Sequence, residues 1–301
     1  MKWLNKGFVF FGALGILLGS CEDMLEVDQN GIIAEQDYYL NSPNDTIYSM
    51  LGIVKALEAL GDRYVVLGEA RGDLLDLTPN TSEHLMQVAN FEVGTDNPYA
   101  DVRDYYAVIN RCNMLIDRVD TSIVAMGQKV MQKEFAAAKA IRAWTYLQLL
   151  LNHKEGYYFE KPLLNIAEAE HLESLPKKDL NEVLPLLIAD LESVRGVPLP
   201  GSLALGEDVV DSRALLFPVR MVLGDLYLYH GDYENAAQAY YDLMYAEFLL
   251  LTDQVRTWWE VGDNNSFTGE SSSTWLSAFR ARNSEGGELI SYIAGSKEYG
   301  S

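Results

Sequence analysis

One stretch, RMVLGDLYLYHGDYENAAQAYYDLM, limits the folds open to this chain more than any other. It holds two helical segments around a turn, with small and aromatic residues at fixed positions along both. These positions are Leu223, Gly224, Tyr227, Gly231, Tyr233, Ala236 and Tyr240. Small residues let two antiparallel helices touch, and aromatic side chains fill the grooves beside them. The stretch therefore predicts a tightly packed helical hairpin.

This spacing is that of a tetratricopeptide unit, in which Leu-Gly, Tyr, Ala and a further aromatic recur in order. A related unit could begin in AIRAWTYLQL, where Ala143 and Tyr146 are spaced as Gly224 and Tyr227 are. The separation of the two sites is not a multiple of the roughly 34-residue repeat, so insertions must interrupt any array. We expect an all-α fold, a helical-hairpin array with tetratricopeptide-like repeats and long inserted loops.

Other segments also show helical periodicity. NSPNDTIYSMLGIVKALEALG predicts a helix that Ser42 caps, that Pro43 opens and that Gly61 stops. Its apolar face would consist of Ile47, Leu51 and Val54. KEFAAAKAIRAWTYLQLLL predicts an interior helix, because its small residues let neighbouring helices approach closely. DLNEVLPLLIADLESVRG predicts another helix, which Pro185 caps or kinks.

Cys112 lies in DVRDYYAVINRCNMLIDRVD, on one helical face with apolar residues three and four positions apart. Nothing near it would depress the pKa of its thiol, as a nucleophile requires. We therefore interpret Cys112 as a core residue. If Cys21 carries lipid, Cys112 has no partner for an intrachain disulfide.

The first residues have the features of a lipoprotein leader. Lys2 and Lys6 form a short basic region, and an apolar run too short to span a membrane follows at residues 8–18. The sequence LGSC then resembles the bacterial lipobox, so we expect Cys21 to be a lipid anchor. The predicted organisation is a signal peptide at 1–20, an acidic tether at 21–36 and an α-helical domain at 37–301.

The charge excludes one class of function. The chain carries a formal net charge of −21 and has no basic cluster. The electrostatic field of such an acidic chain repels nucleic acid and anionic lipid. We therefore expect no nucleic-acid binding, and a membrane contact through the anchor only. The same field disfavours anionic polysaccharides.

Enzyme motifs are missing from the sequence. The histidines, His84, His153, His171 and His230, form no HExxH pair and no zinc spacing. There is no GxSxG elbow and no phosphate-binding glycine loop. Acidic pairs such as Asp73 with Asp76 are expected by number among 44 acids. We therefore expect no enzyme activity, no catalytic residue, no cofactor and no metal, and interpret Arg71 as an ion-pairing residue.

Binding fits the composition better. Sugar sites combine flat aromatic rings with Asn, Asp and Arg on loops that a rigid frame holds. Two loops have this composition, Asn80 to Tyr99 and Trp258 to Trp275. The candidate ligand-binding residues are Asn97, Tyr99, Trp258, Asn265 and Trp275. The alternative, that the tryptophans only pack beneath their loop, stays open.

Five segments follow one another along the chain in a familiar order: SCEDMLEVD, YYAVINRCNMLIDRV, FAAAKAIRAWTYLQLL, LPLLIADLESV and GDYENAAQAY. In the order and spacing of these segments, the chain resembles the SusD/RagB family of outer-membrane nutrient-binding lipoproteins, and the resemblance implies a SusD-like α-helical domain at 37–301. The segment NHKEGYYFEKPLL is longer than its family counterpart. Family chains also continue well beyond this length, so we expect this chain to be the N-terminal portion of such a protein.

The resemblance implies an uptake function. The chain would be anchored in the outer membrane, face the exterior, and bind an oligosaccharide or peptide. It would deliver this nutrient to a TonB-dependent, SusC-like β-barrel transporter, with the acidic residues after Cys21 as an export signal. An alternative is a tetratricopeptide scaffold lipoprotein of envelope assembly, and a third is a surface hydrolase. Uninterrupted repeats would favour the scaffold, and turnover of a glycan or peptide would identify the hydrolase.

Overall fold

The computed structural model describes residues 39–72, 75–200, 215–246 and 293, with side chains up to residue 244 in the last helix. From Leu40 onward, they belong to one structural unit. Its α-helices are α1 Pro43–Leu57, α2 Gly61–Glu69, α3 Glu83–Ala89, α4 Arg103–Arg118, α5 Gln132–His153, α6 Ile166–Glu173, α7 Leu180–Glu192, α8 Val219–His230 and α9 Tyr233–Ala246.

The described residues contain little sheet. Two antiparallel ladders of two-residue strands are present. They pair β1 Val124–Ala125 with β2 Gln128–Lys129, and β3 Glu155–Gly156 with β4 Lys178–Asp179. Short 3-10 turns lie at Glu58–Leu60 and Pro98–Ala100. The all-α expectation is therefore confirmed.

Helix α1 begins as the sequence predicts but does not end as predicted. Ser42 caps it, since its Oγ accepts from the Asp45 N–H at 3.3 Å. Gly61 has right-handed helical dihedral angles and opens α2, because the 3-10 turn leads from one helix directly into the next. The prediction that Gly61 is a stop was therefore wrong.

The buried face of α1 is also different from the predicted one. The buried residues are Thr46, Met50, Ile53, Val54 and Leu57, whereas Ile47 and Leu51 are half-buried. The helix turns this face because it packs against both α4 and α5. Thr46 can be buried there because its hydroxyl donates to the Ser42 carbonyl at 3.0 Å.

Helix α5 is the centre of the array, as the small-residue stripe predicts. It packs against α1, α4, α7 and α8, and almost every residue from Ala136 to Leu150 is buried. Alanines at 136, 137, 138, 140 and 143 let these neighbours approach on several sides. A helix buried all round has no polar face, so its charged residues need internal partners.

These partners are present on α4 and α7. Arg142 donates from Nη1 to Asn113 Oδ1 and from Nη2 to Asp190 Oδ2, both at 2.6 Å. Lys139 Nζ lies 2.7 Å from Asp190 Oδ1 and 3.1 Å from Ser193 Oγ. The two buried cations therefore share one carboxylate, which links the central helix to α7.

The segment after α5 is an extended strap at residues 154–165, held by side chains of α4 and α5. The Tyr146 hydroxyl donates to the Phe159 carbonyl at 2.8 Å and accepts from its N–H at 3.0 Å. Asn110 bonds both backbone groups of Leu163, at 2.9 and 2.7 Å. These side chains satisfy the strap backbone as a neighbouring strand would.

Helices α8 and α9 form the predicted hairpin. A Cβ placed on Gly224 would lie within 3.0 Å of the Tyr240 ring, so only glycine allows this approach. Tyr240 donates to Asp225 at 2.5 Å. Gly231 ends α8 in the left-handed region at φ 82°, where glycine has no steric penalty.

The remaining hairpin residues divide between core and surface. Leu223, Tyr227 and Ala236 are buried, whereas Tyr233 is exposed at the turn. The Tyr227 hydroxyl donates to Glu192 at 2.7 Å, which ties the hairpin to α7. The tetratricopeptide-like packing is therefore a feature of the fold, with Tyr233 outside its core.

Two further expectations concern α4 and α7. Cys112 is fully buried, and burial raises the pKa of its thiol to about 12. The interpretation as a core residue is confirmed. Asp179 and Glu182 form a capping box that opens α7, and Pro185 lies inside that helix, exposed, without ending it.

Candidate functional site

Asn97 opens the 3-10 turn that joins α3 to α4. Its Oδ1 accepts from the Tyr99 N–H at 3.0 Å. Its Nδ2 donates to the His84 carbonyl at 3.0 Å and to Gln87 Oε1 at 2.8 Å. The side chain is 2% exposed. Asn97 therefore fastens the loop to α3 from beneath the surface, and a direct contact to sugar stays a prediction.

Tyr99 stands on the surface side of the same turn and is half-buried. Its hydroxyl donates to Asp62 Oδ2 at 2.9 Å. Burial, together with this hydrogen bond to Asp62, raises the pKa of Tyr99 to about 12. The phenol is therefore a neutral donor whose direction Asp62 sets, next to a ring face that the turn holds in place.

Arg63 completes this group, since it follows Asp62 on α2. Its Nη1 donates to the Pro98 carbonyl at 3.0 Å, and its Nη2 lies 3.2 Å from Asp104 Oδ2. We refer to Asp62, Arg63, Asn97, Pro98 and Tyr99 as the 97–99 corner. Of the predicted ligand residues, the structure brings Asn97 and Tyr99 together here. The others, Trp258, Asn265 and Trp275, lie outside the described residues, as does the predicted anchor Cys21.

A second polar group lies at the other end of α2. Arg71 Nη1 donates to Asn152 Oδ1 at 3.2 Å, and the Arg71 guanidinium carbon is 5.8 Å from the centre of the Phe91 ring. The described residues give Arg71 no carboxylate partner. The interpretation of Arg71 as an ion-pairing residue therefore has no support in the part of the chain that the structure describes.

His153 lies beside this arginine, at the C-terminal end of α5. Its ring meets the Tyr105 ring edge-on, with centroids 5.6 Å apart. Burial lowers the pKa of His153 to about 4, and the charges of Arg63 and Arg71 add to this shift. His153 is therefore neutral at pH 7. We call Arg71, Phe91 and His153 the Arg71 cluster.

The Arg71 cluster could not have been found by local spacing. Arg71 follows α2, Phe91 is the second residue after α3, and His153 is the last residue of α5, so the three lie far apart in sequence. The sequence contains one local signal, since Phe91 follows α3 at a position where glycine is usual. A bulky residue at such a position indicates a contact that local propensity does not explain.

In the part of the chain that the structure describes, no group of three or more His, Cys, Asp or Glu side chains could hold a metal ion. No helix among the described residues is long and apolar enough to cross a membrane.

Known proteins resemble this chain in sequence and in fold. No protein-family model matches it. The SusD-like protein P25 of Formosa agariphila is 25% identical over 190 residues, which cover 58% of this chain and 34% of that protein. The chain therefore spans about a third of the length of the curated relative that it matches.

Two solved structures share the helical array. A SusD superfamily protein from Bacteroides vulgatus matches with a TM-score of 0.52 at 16% identity, over 69% of this chain and 44% of its own. A laminarin-binding SusD-like protein matches with a TM-score of 0.50 at 18% identity, over 67% and 43%.

These matches first define a class of fold, the helical array with tetratricopeptide-like hairpins that SusD-like proteins share. In sequence the chain is similar to the SusD-like protein of Formosa, and in fold it is similar to SusD-like proteins of known structure. The resemblance seen in the order of the sequence motifs is thereby confirmed.

Proposed function

We propose that this chain is a nutrient-binding lipoprotein that takes up an oligosaccharide or peptide together with a TonB-dependent outer-membrane transporter. The observation that carries the proposal is the helical array shared with a SusD-like protein that binds laminarin. A glycan is therefore the first ligand class to test. The proposal requires no covalent chemistry, so the expectation that the chain is not an enzyme remains part of it.

The 97–99 corner is the proposed ligand face in the described residues. Tyr99 offers a ring fixed by its hydrogen bond to Asp62, and apolar faces of pyranose rings stack on such aromatics. Asp62 is exposed and can accept from sugar hydroxyls. Asn97 would act indirectly, since it holds the turn in shape. Trp258, Asn265 and Trp275 remain proposed contacts from the second loop.

The lipid anchor is proposed from the sequence. A lipid on Cys21 would keep the protein in the outer membrane, facing the exterior, through buried acyl chains. Tethering beside a SusC-like barrel would raise the effective concentration of ligand at its pore. Binding in this arrangement can be reversible, since delivery depends on proximity.

Two measurements test the proposal. The first is calorimetric titration of the full chain with laminarin, in detergent, where Tyr99→Ala should weaken binding and Tyr241→Ala, an exposed tyrosine on α9, should not. Equal loss in both variants would exclude the corner as the ligand face.

The second measurement is co-purification of the tagged chain from its own outer membrane, with Cys21→Ala beside it. We expect a large β-barrel transporter in near-equal amount with the unaltered chain, and less with the variant. Recovery of envelope-assembly factors without a barrel would contradict the uptake proposal and support the scaffold alternative.

A further inference from the structure

A two-stranded hairpin, which we call the 123–130 hairpin, joins α4 to α5 and ends in apolar side chains. Strand β1 pairs with β2 across a turn formed by Met126 and Gly127. Val124 is 58% exposed in β1, and the Met126 side chain at the tip is fully exposed. Single exposed apolar residues are common on protein surfaces, so their meaning depends on the surroundings of the hairpin.

The turn itself disfavours methionine. Its φ angles are 51° at Met126 and 76° at Gly127, and a two-residue turn with two positive φ angles is normally filled by Asn-Gly. Methionine has no side-chain group that could hydrogen-bond to the local backbone and offset the cost of the left-handed conformation. An exposed apolar residue that costs stability at the tip is consistent with a contact outside the folded domain.

The hairpin differs in charge from the rest of the chain. Residues 121–133 contain two lysines and no acid, although the chain has a net charge of −21. Lys129 is exposed and lies opposite Val124 in the ladder, so the two side chains share one face. The tip is therefore apolar, with a cation one residue pair behind it.

The acids nearest along the chain lie at the base of the hairpin. Asp120, which is exposed, precedes it, and Glu134, which is half-buried, follows it on α5. Asp117 in the last turn of α4 lies 3.2 Å from Lys161 Nζ. Residues 123–125 alone extend about 10 Å as a strand, and charges beyond about 8 Å are screened at physiological salt. The acids at the base therefore act weakly on the tip.

The chain that leads to the proposed lipid anchor enters the domain beside this base. The Leu40 N–H donates to the Arg118 carbonyl at 3.1 Å, and Leu40 forms a β-bridge with Val119. Residues 22–39 connect this point to Cys21 and can span at most about 60 Å. An anchor on such a connection keeps the domain near the membrane but does not fix which side of the domain faces it.

We propose that this hairpin contacts the lipid of the membrane, with Val124 and Met126 among the acyl chains and Lys129 at the head-group phosphates. Lysine suits this position, because its stem is apolar and its charge can reach the phosphates. The inference rests on the proposed lipid anchor at Cys21. The contact can be weak, because the anchor keeps the hairpin at a high effective concentration beside the lipid. It adds a protein contact to the anchor-only attachment expected from the net charge.

The lipid contact leaves the proposed ligand face free. Helix α4 has the hairpin after its last turn and the 97–99 corner at its first turn, where Asp104 pairs with Arg63. The 16 residues of this helix span about 24 Å. The corner therefore lies at the opposite end of α4 from the residues that meet the lipid.

The test places a thiol-reactive fluorophore at Gln128→Cys, an exposed position on β2 that leaves Val124 and Met126 in place. Cys112 is fully buried and a lipid-modified Cys21 has no free thiol, so only the new cysteine reacts in the folded chain. The labelled full chain is reconstituted into phosphatidylcholine vesicles that contain a phosphatidylcholine with a nitroxide on its acyl chain. We expect the nitroxide to quench the fluorophore at residue 128.

Two comparisons show whether the native side chains make the contact. The same fluorophore at Asn80→Cys, an exposed turn position before α3, should not be quenched. In the double variant Val124→Thr and Met126→Asn, quenching at residue 128 should be lost. Threonine keeps the β-branched shape of valine and Asn-Gly suits the turn, so this variant should unfold in urea no more easily than the unaltered chain. Loss of quenching then cannot come from a damaged hairpin.

The outcomes separate this inference from the proposed anchor. The chain may float with the vesicles while residue 128 is quenched no more than residue 80, or is still quenched in the double variant. Either result overturns the lipid contact and leaves the anchor intact. A chain that does not float with the vesicles would contradict the anchor, and the inference with it.

A photo-crosslinker at the same cysteine distinguishes lipid from the transporter. In isolated outer membranes it should link the chain to lipid. A link to a β-barrel protein, without quenching in the vesicles, would assign the hairpin to the transporter and overturn the lipid contact.

Discussion

Arg142 is buried and Arg71 is half-buried, and the two arginines differ in how the protein pairs their donors. Arg142, 4% exposed at the centre of α5, donates to Asn113 and to Asp190. Arg71, half-buried after α2, donates to Asn152 and leaves Nε unpaired. The first region satisfies its buried cations with protein groups, whereas the second does not.

The pKa values of the two groups reflect this difference. Burial acts to lower the pKa of Arg142, but the Asp190 carboxylate outweighs it, so the pKa is raised. Burial lowers the pKa of Arg71, and no carboxylate among the described residues compensates. An unpaired buried donor costs about 1–3 kcal/mol. The comparison therefore separates an arginine whose donors are paired within the fold from an arginine that keeps an unpaired buried donor.

The largest effect is expected from Asp190→Ala, which leaves Lys139 and Arg142 buried without a counter-charge. Breaking a buried ion pair by removing one partner typically costs about 3–5 kcal/mol. Urea unfolding should show a loss of this order. Asp117→Ala, which removes the exposed partner of Lys161, should cost no more than about 1 kcal/mol. Equal losses in both variants would contradict the assigned importance of the buried network.

Gly224→Ala tests close packing elsewhere in the fold, in the hairpin of α8 and α9. The new Cβ would overlap the Tyr240 ring, and overpacking of this kind costs about 1–3 kcal/mol. Gly68→Ala on α2 is a matched control, because nothing lies within 4 Å of its Cβ position. There the substitution should stabilise by about 0.5–1 kcal/mol, since alanine favours helix. Two changes of the same sign in urea unfolding would contradict this packing.

Phe91→Gly tests the surroundings of Arg71. Glycine removes the left-handed strain at this position, so the free energy of unfolding should rise by about 1 kcal/mol, measured by urea denaturation. A variant that is less stable would show that the contact between the Phe91 ring and Arg71 stabilises the folded chain by more than the strain costs.

The pH dependence of stability tests His153. Its folded pKa of about 4 lies below its ordinary value near 6.5, so the unfolded chain binds more protons between these values. Its contribution to stability is present above about pH 6.5 and is lost as pH falls toward 4. With solvent screening of this half-buried group, the loss is about 1 kcal/mol. Comparing urea unfolding at pH 7 and pH 5 should show a smaller difference in His153→Gln, and an unchanged difference would contradict the shift.

Much of the helical packing could be predicted from the sequence, because the residues that determine it lie close together in the chain. Gly224 and Tyr240 belong to one hairpin, and Ser42 caps the helix that it precedes. Alanines spaced along α5 indicate an interior helix without knowledge of its neighbours. Local rules of capping, periodicity and small-residue contact are sufficient for such elements.

The surroundings of Arg71 and the shape of the 97–99 corner depend on contacts between distant segments. Arg71 meets Asn152 across 81 positions, and Phe91 comes from a third segment. The burial of Asn97 was also not predictable, because an Asn beside Pro in a polar loop suits a cap and a sugar contact equally well. For α1, the choice of buried face depends on the arrangement of α4 and α5 around it.

The smallest effect is expected from Arg71→Met, and it sharpens the comparison most directly beside Arg142→Met. Methionine removes the unpaired Nε of Arg71 and keeps apolar contact with Phe91, but it also removes the hydrogen bond to Asn152. Because the first change is favourable and the last is not, the free energy of unfolding should change by less than about 0.5 kcal/mol. In Arg142→Met, Asp190 keeps only Lys139 as a counter-charge and Asn113 loses a donor, which should cost about 2–3 kcal/mol. Urea unfolding of both variants gives the difference. A loss in Arg71→Met as large as in Arg142→Met would mean that Arg71 stabilises the fold as much as Arg142 does, despite its unpaired nitrogen.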